Sequence, residues 1–290
     1  MKLDSEKGGI SSMRDVFSRY EELSTKNLPK ENDLIIWPET AFPTLMPSKL
    51  LKNESTFAIP NLLERVITQT GSQLFIGGYD SNEDFNSYKS DYNAAFFFGR
   101  NAKLNDVYHK MKLIPFGEGL PFGPFNDYLS QWITNISYFS EGEKFTQFKT
   151  DNDIPFNSAI CYEILFSSFI ADMLNDSKTQ PDFLINLTND SWYGDTAEPY
   201  QHLFLSKWRA LEFNLPIIRS TNTGITSIIY PNGAESKRMG VGMYDYLDVH
   251  LDIMPRDKTI FQKIGIFFTI VLSLGLFLID LAIKRKTFFK

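Results

Sequence analysis

At Cys161 the chain changes character. The run Ser158-Ala159-Ile160 is apolar and strand-like, and an amphipathic stretch with helical spacing starts at Glu163. A strand that turns directly into a helix belongs to layered α/β architectures, and it lifts the residue at the turn out of the end of a sheet. The rest of the chain fits that frame. Residues 33–37, 74–79, 93–98, 104–109, 156–160 and 183–187 read as strands. Helices are predicted over 13–25 (capped by Ser12), 60–70 (stopped by Gly71), 163–174 and 199–213. Strands over 216–220, 225–230 and 246–253, with a Pro231-Asn232-Gly233 turn, close the domain, and residues 80–92 read as a polar loop. With 290 residues, 43% of them hydrophobic and 26 of them Phe, the chain can fill one large core and carry an appendage.

Composition removes several function classes. The net charge is −6, and the tail holds Lys284, Arg285, Lys286 and Lys290 against Asp280, so the part before it is more acidic still. Phosphate contacts need clustered Lys and Arg, so no nucleic-acid partner is expected. One cysteine makes no intrachain disulfide. His109, His202 and His250 are scattered and show no zinc spacing, so neither a metal nor a cofactor is expected. Residues 1–12 are polar and carry no signal-peptide pattern. Residues 264–283 are apolar except for Gly265, Thr269, Ser273, Gly275 and Asp280. At about 1.5 Å per residue they would span about 30 Å, the thickness of a bilayer core, which predicts a membrane-spanning helix.

Two further strand ends carry chemistry: Trp37-Pro38-Glu39-Thr40, and Tyr108-His109-Lys110 running on to Glu118. A thiol attacks carbonyls as thiolate, so it needs a base and a cationic neighbour, and the tetrahedral oxyanion needs positive charge. Glu39 can be the base, Lys110 the charge and Cys161 the nucleophile. Taken singly, each has a plainer reading: a strand-end carboxylate, a solvated loop lysine and a small buried hydrophobe. After Glu118 a Gly/Pro stretch containing Phe122 precedes Phe125, Leu129, Trp132, Ile133 and Ile136 at helical spacing. That pattern suits either a hinged apolar arm at a membrane surface or a helix packed on the core.

Together these motifs resemble the nitrilase, or carbon–nitrogen hydrolase, superfamily, and within it the bacterial apolipoprotein N-acyltransferase branch. The residues that carry the resemblance run in order. They are Trp37-Pro38-Glu39-Thr40-Ala41, Tyr108-x-Lys110-x-x-Leu113-Ile114-Pro115-Phe116-Gly117-Glu118, Ile160-Cys161-Tyr162-Glu163 and Asn189-Asp190-Ser191-Trp192-Tyr193-Gly194. His202, Arg209-Ala210-Leu211-Glu212 and Arg219-Ser220-Thr221-Asn222-Thr223-Gly224 complete the set. The resemblance implies an αββα sandwich over residues 1–258, a transmembrane helix over 259–283 and a basic cytoplasmic tail over 284–290. It implies a Glu39–Lys110–Cys161 triad supported by Glu118, Tyr162 and Glu163, with Trp192, Tyr193 and Phe122 as substrate- or lipid-binding residues. The family pattern selects Lys110 over Lys112.

The implied activity moves an acyl group from a phospholipid, through a Cys161 thioester, to the α-amino group of the N-terminal cysteine of a diacylated apolipoprotein. The implied setting is the bacterial inner membrane, with the domain facing the periplasm. Family members begin with several membrane helices and a first domain strand that this chain lacks, so the expectation includes an N-terminally truncated domain with a separate membrane-helix subunit as partner. The alternatives are a nitrilase-type amidase and an inactive or split-gene fragment.

Overall fold

The computed structural model describes residues 9–26, 34–53, 58–81, 91–192, 194, 196–265 and 267–288. Two sheets form the centre. The first has the order β1 (Leu34–Leu45), β2 (Gln73–Asp80), β3 (Tyr92–Phe98), β4 (Leu104–His109). The second has the order β5 (Gln147–Lys149), β6 (Pro155–Ile160), β7 (Phe183–Thr188), β8 (Ile217–Thr221), β9 (Ser227–Ile229). β1 and β2 run parallel, as do β6, β7 and β8; the remaining pairs are antiparallel.

The period-two alternation of strand side chains sorts each strand between two layers. Phe75, Ala95, Phe97 and Tyr108 of the first sheet face the second sheet, in one core with Phe148, Phe156, Ala159 and Ile185. Phe75 meets Phe148 edge-on at 5.1 Å, and Phe97 meets Phe156 at 5.4 Å. Each buried Phe contributes up to about 3 kcal/mol, so this aromatic seam fixes how the sheets lie on one another. Leu74, Ile76, Phe96 and Phe98 point the other way, towards α3 (Asn61–Thr70) and α1 (Gly9–Thr25). On the opposite side α5 (Ser167–Asp176) and α6 (Glu198–Phe213) cover the second sheet through Ile170, Leu174, Leu203 and Phe213. The layers are therefore α, β, β, α, as expected.

Several local expectations shift. Among the described residues helix α1 spans Gly9–Thr25, so Ser12 lies inside it rather than ahead of it. Residues 246–253 form no strand, and β9 is shorter than the predicted 225–230. The helix expected from Glu163 opens instead as a 3-10 turn, Cys161–Leu165, before α5. Helices α2 (Ser48–Lys52) and α4 (Asn126–Leu129) are short, and of the helical spacing in 125–136 only the end of a 3-10 turn, Gly123–Phe125, and α4 form.

Among the described residues, the single helix expected over 259–283 is divided in two. Helix α7 (Ile260–Ile264) ends at Gly265, whose φ of +62 breaks the helical path, and α8 runs Phe267–Phe288. Asp280 and Lys284 pair within α8 at 2.7 Å, leaving about 20 Å of helix before the first charge, short of a bilayer core. Among the described residues, no helix is long and apolar enough to cross a membrane. Phe267, Val271, Leu274 and Leu278 of α8 are nevertheless exposed.

Candidate active site

A bulge within β1 and the ends of β4 and β6 supply the site residues, and local irregularities shape it. In β1 the register with β2 slips after Trp37: Trp37 opposes Ile76, and the next paired residue, Phe42, opposes Gly78. The extra residues form a bulge, with Thr40 at φ +54, that turns the Glu39 side chain inward. Gly77 permits it: a Cβ there would lie 2.6 Å from Glu39 Cα and 2.6 Å from the Pro38 carbonyl oxygen. Lys110 follows β4. Its N–H donates to the Asn93 carbonyl at 2.8 Å, and its carbonyl accepts from Gly142 N–H at 2.8 Å. Cys161 leaves β6 at φ +49, a left-handed conformation that is costly for a residue with a Cβ.

The side chains form one buried network. Lys110 is fully buried; its Nζ donates to Glu118 Oε1 at 2.8 Å and to Glu39 Oε1 at 3.4 Å. Glu39 also accepts from Asn93 Nδ2 at 2.8 Å and from the Asn189 N–H at 2.7 Å. Glu118 accepts from Ile114 N–H at 2.9 Å and from Asn93 Nδ2 at 3.3 Å. Burial, against the pull of Lys110 and with the push of Glu118, holds the Glu39 carboxyl above the ordinary carboxylate range. Burial also pushes the Cys161 thiol up, and Glu39, Asp190 and Glu118 add to that, while Lys110 pulls it down. Burial alone would lower the Lys110 ammonium, but Glu39, an ionised Cys161 and Glu118 outweigh it and raise its pKa. The site therefore rests with a neutral thiol, a fixed cation and a carboxylate whose proton affinity is enhanced.

Glu163 ties the ends of β4 and β6 together. Its Oε2 accepts from Ile160 N–H at 2.7 Å, just before the cysteine. Its Oε1 accepts from Tyr108 OH at 2.8 Å, Met111 N–H at 2.7 Å and Lys112 N–H at 3.0 Å, around the lysine. Burial pushes its pKa up to about 7 despite these donors. Tyr162 packs edge-on against Phe166 at 4.8 Å. The Lys112 ammonium sits 6.0 Å over the Phe169 ring, away from Glu39.

Of the residues expected in the site, Glu39, Lys110 and Glu118 are joined by hydrogen bonds, Cys161 lies close enough to exchange charge effects with all three, and Glu163 bonds the backbone before the cysteine and after the lysine. Phe122 does not enter the network: it is exposed and meets Phe116 edge-on at 5.8 Å. Near it Phe125, Tyr128 and Trp132 are exposed as well, Trp132 at 73%. The Trp192 side chain and Tyr193 lie outside the described residues. The sequence reading gave no place in the site to Asn93 or Asn186; it named Asn189 and His202 among the resemblance motifs without assigning either a role, and set His202 aside as a metal ligand. The Asn189-Asp190 pair and His202 stood inside the motifs already noted, so the signal was present. Asp190, Glu198 and His202 hold ligand atoms within 4.8 Å of one another, a spacing a cation could use. Arg219 Nη2 already donates to Asp190 Oδ2 at 2.8 Å, and that charge works against a metal ion there.

A profile of the carbon–nitrogen hydrolase family matches residues 11–243. Similar proteins include the apolipoprotein N-acyltransferase of Bdellovibrio bacteriovorus, 33% identical over 80% of this chain and 42% of its own length. That of Haemophilus influenzae is 36% identical over 74% of this chain and 40% of its own. The chain thus spans about half the length of the curated relatives it matches. Among solved structures, Nit3 of Saccharomyces cerevisiae, a nitrilase-superfamily member, superimposes with a TM-score of 0.55 at 16% identity, over 79% of this chain and 80% of that one. An amidase of the same superfamily from Nesterenkonia gives 0.54 at 13% identity, over 79% and 81%. These last two likenesses speak to fold.

Proposed function

Since the chain belongs to the carbon–nitrogen hydrolase family, we propose that it is an acyltransferase that uses Cys161 to carry an acyl group from a phospholipid to the N-terminal amine of a lipoprotein. The observation that carries the reading is the buried contact of Lys110 with both Glu39 and Glu118 beside the thiol at the strand end. A lysine used only for solubility would not be buried between two carboxylates.

In the proposed cycle Glu39 takes the thiol proton as Sγ attacks the ester carbonyl of the donor. Lys110 holds the oxyanion. The tetrahedral species collapses, the C–O bond breaks, and the departing alkoxide recovers the proton from Glu39, leaving a Cys161 thioester and a lysophospholipid. The acceptor amine then attacks the thioester and gives its proton to Glu39. The C–S bond breaks, and the returning proton restores the thiol. Glu118 keeps Lys110 charged and aimed, and Glu163 holds the cysteine turn against the lysine segment.

The choice of donor and acceptor rests on the relatives' names and on surface chemistry. Exposed Phe116, Phe122, Phe125, Tyr128 and Trp132 flank Glu118 in the chain, where a phospholipid acyl chain would approach from a bilayer. The exposed apolar residues of α8 would seat the domain on the bacterial inner membrane, on its periplasmic side. Incubation with diacyl phospholipid vesicles and a diacylated lipopeptide bearing a free N-terminal cysteine tests the reading. Amide-linked acyl lipopeptide with lysophospholipid is the expected product. Free fatty acid alone, or ammonia release from small amides, would assign hydrolysis instead.

A further inference from the structure

The Cys161 carbonyl is held by two buried donors that the proposed cycle does not use. Asn186 Nδ2, from β7, reaches it at 3.4 Å, and His202 Nε2, from α6, at 3.3 Å. Both donors are tied at their far ends to the same guanidinium. Arg219 Nη1 donates to Asn186 Oδ1 at 2.8 Å, and Arg219 Nη2 donates to Asp190 Oδ2 at 2.8 Å. Asp190 Oδ1 faces His202 Nδ1 at 3.2 Å. The circuit closes: Arg219, Asn186, the Cys161 carbonyl, His202, Asp190 and back to Arg219. Asn186, Asp190, His202 and Arg219 are all at most 3% exposed. Both neighbours of the ring are acceptors, so a ring nitrogen that bears a proton donates to the group it faces.

We propose that His202 is a positioning residue that, with Asp190 and Arg219 behind it, holds Cys161 in its left-handed backbone conformation and so aims Sγ at the substrate carbonyl. A non-glycine residue at φ +49 is strained and persists only where its surroundings over-determine it. The carbonyl cannot swing back towards a right-handed turn without leaving both donors. Cut from the circuit, the peptide after Cys161 relaxes, and a nucleophile displaced by about 1 Å loses about 100-fold in rate. The inference rests on the reading of Cys161 as the nucleophile, and the alkylation arm of its test does not depend on the acyl donor.

The chain contains a single cysteine, so iodoacetamide alkylation read by intact mass reports Cys161 alone. Under native conditions His202→Leu is expected to slow alkylation at least 10-fold and to lower kcat for acyl transfer with little change in KM. His202→Gln, which still offers one N–H to the carbonyl, should recover part of the rate. A folded His202→Leu that alkylates at or above the parent rate overturns the proposal. If His202→Leu does not unfold cooperatively, Asp190→Asn carries the test: a fall of at least threefold supports the positioning role, and a parent-like rate overturns it. A parent chain that is alkylated but never acylated leaves the positioning role standing and sinks the acyl-transfer reading. A parent chain that resists iodoacetamide overturns both.

Discussion

Gly77→Ala is the sharpest single perturbation of the site, because it touches no candidate catalytic side chain. The added methyl would sit 2.6 Å from Glu39 Cα, 2.6 Å from the Pro38 carbonyl oxygen and 2.9 Å from Thr40 N. All three are backbone atoms of the β1 bulge, so no side chain can swing aside. Relief to ordinary contact requires the bulge to retreat by about 0.8 Å, and Glu39 travels with it. Overpacking of this kind costs about 1–3 kcal/mol of stability, and a shift near 1 Å in a catalytic group costs about 100-fold in rate. Gly78→Ala is the internal control. Its methyl would meet the Met46 Cε at 2.8 Å, the far end of a flexible side chain, with Phe42 O next at 3.1 Å. The assay pairs thermal unfolding with the initial rate of Cys161 acylation. Gly77→Ala should remain folded and lose about two orders of magnitude of rate, with Gly78→Ala losing far less. Equal rates for the two variants would show that the bulge does not set the position of Glu39.

Lys110→Met should cost at least about 100-fold in acylation, as loss of one oxyanion donor does, whereas Lys112→Met, whose ammonium lies over Phe169, should cost little; equal losses would refute the assignment. Glu163 gives a pH signature. Burial raises its folded pKa to about 7 from an ordinary 4.5, so the folded state binds a proton that the unfolded state lacks between those values. Stability attributable to Glu163 therefore rises as pH falls from about 8 towards 5, by at most about 3 kcal/mol, and Glu163→Gln removes that rise. Denaturant titrations of both proteins across this range check it, and a pH-independent difference between them would contradict it.

The strands and most of the site were legible because near-continuous apolar runs and turn residues mark buried strand ends locally. Glu39, Lys110 and Cys161 each stand within a residue or two of such an end. What the sequence could not display is long-range. Asn93 joins Glu39 to Glu118 only once β3 lies between β2 and β4. The circuit through Arg219 needs β7, β8 and α6 in place around the cysteine turn. The left-handed backbone at Thr40 and Cys161 has no local signature, since neither is a glycine. The apolar stretch near the C-terminus suggested a span because composition ignores where a helix starts; Gly265 and Asp280 set its limits. The expected strand over 246–253 has good strand residues but finds no sheet edge to pair with.

The central claim is that Cys161 carries the acyl group while Glu39 and Lys110 serve it. Intact-protein mass spectrometry after incubation with a diacyl phospholipid, with no acceptor present, tests it most directly. The account predicts a single acyl adduct that maps to the peptide containing Cys161, is released by hydroxylamine as a thioester, and is lost in Cys161→Ala. An adduct on another residue, or acyl transfer that persists in Cys161→Ala, would contradict it.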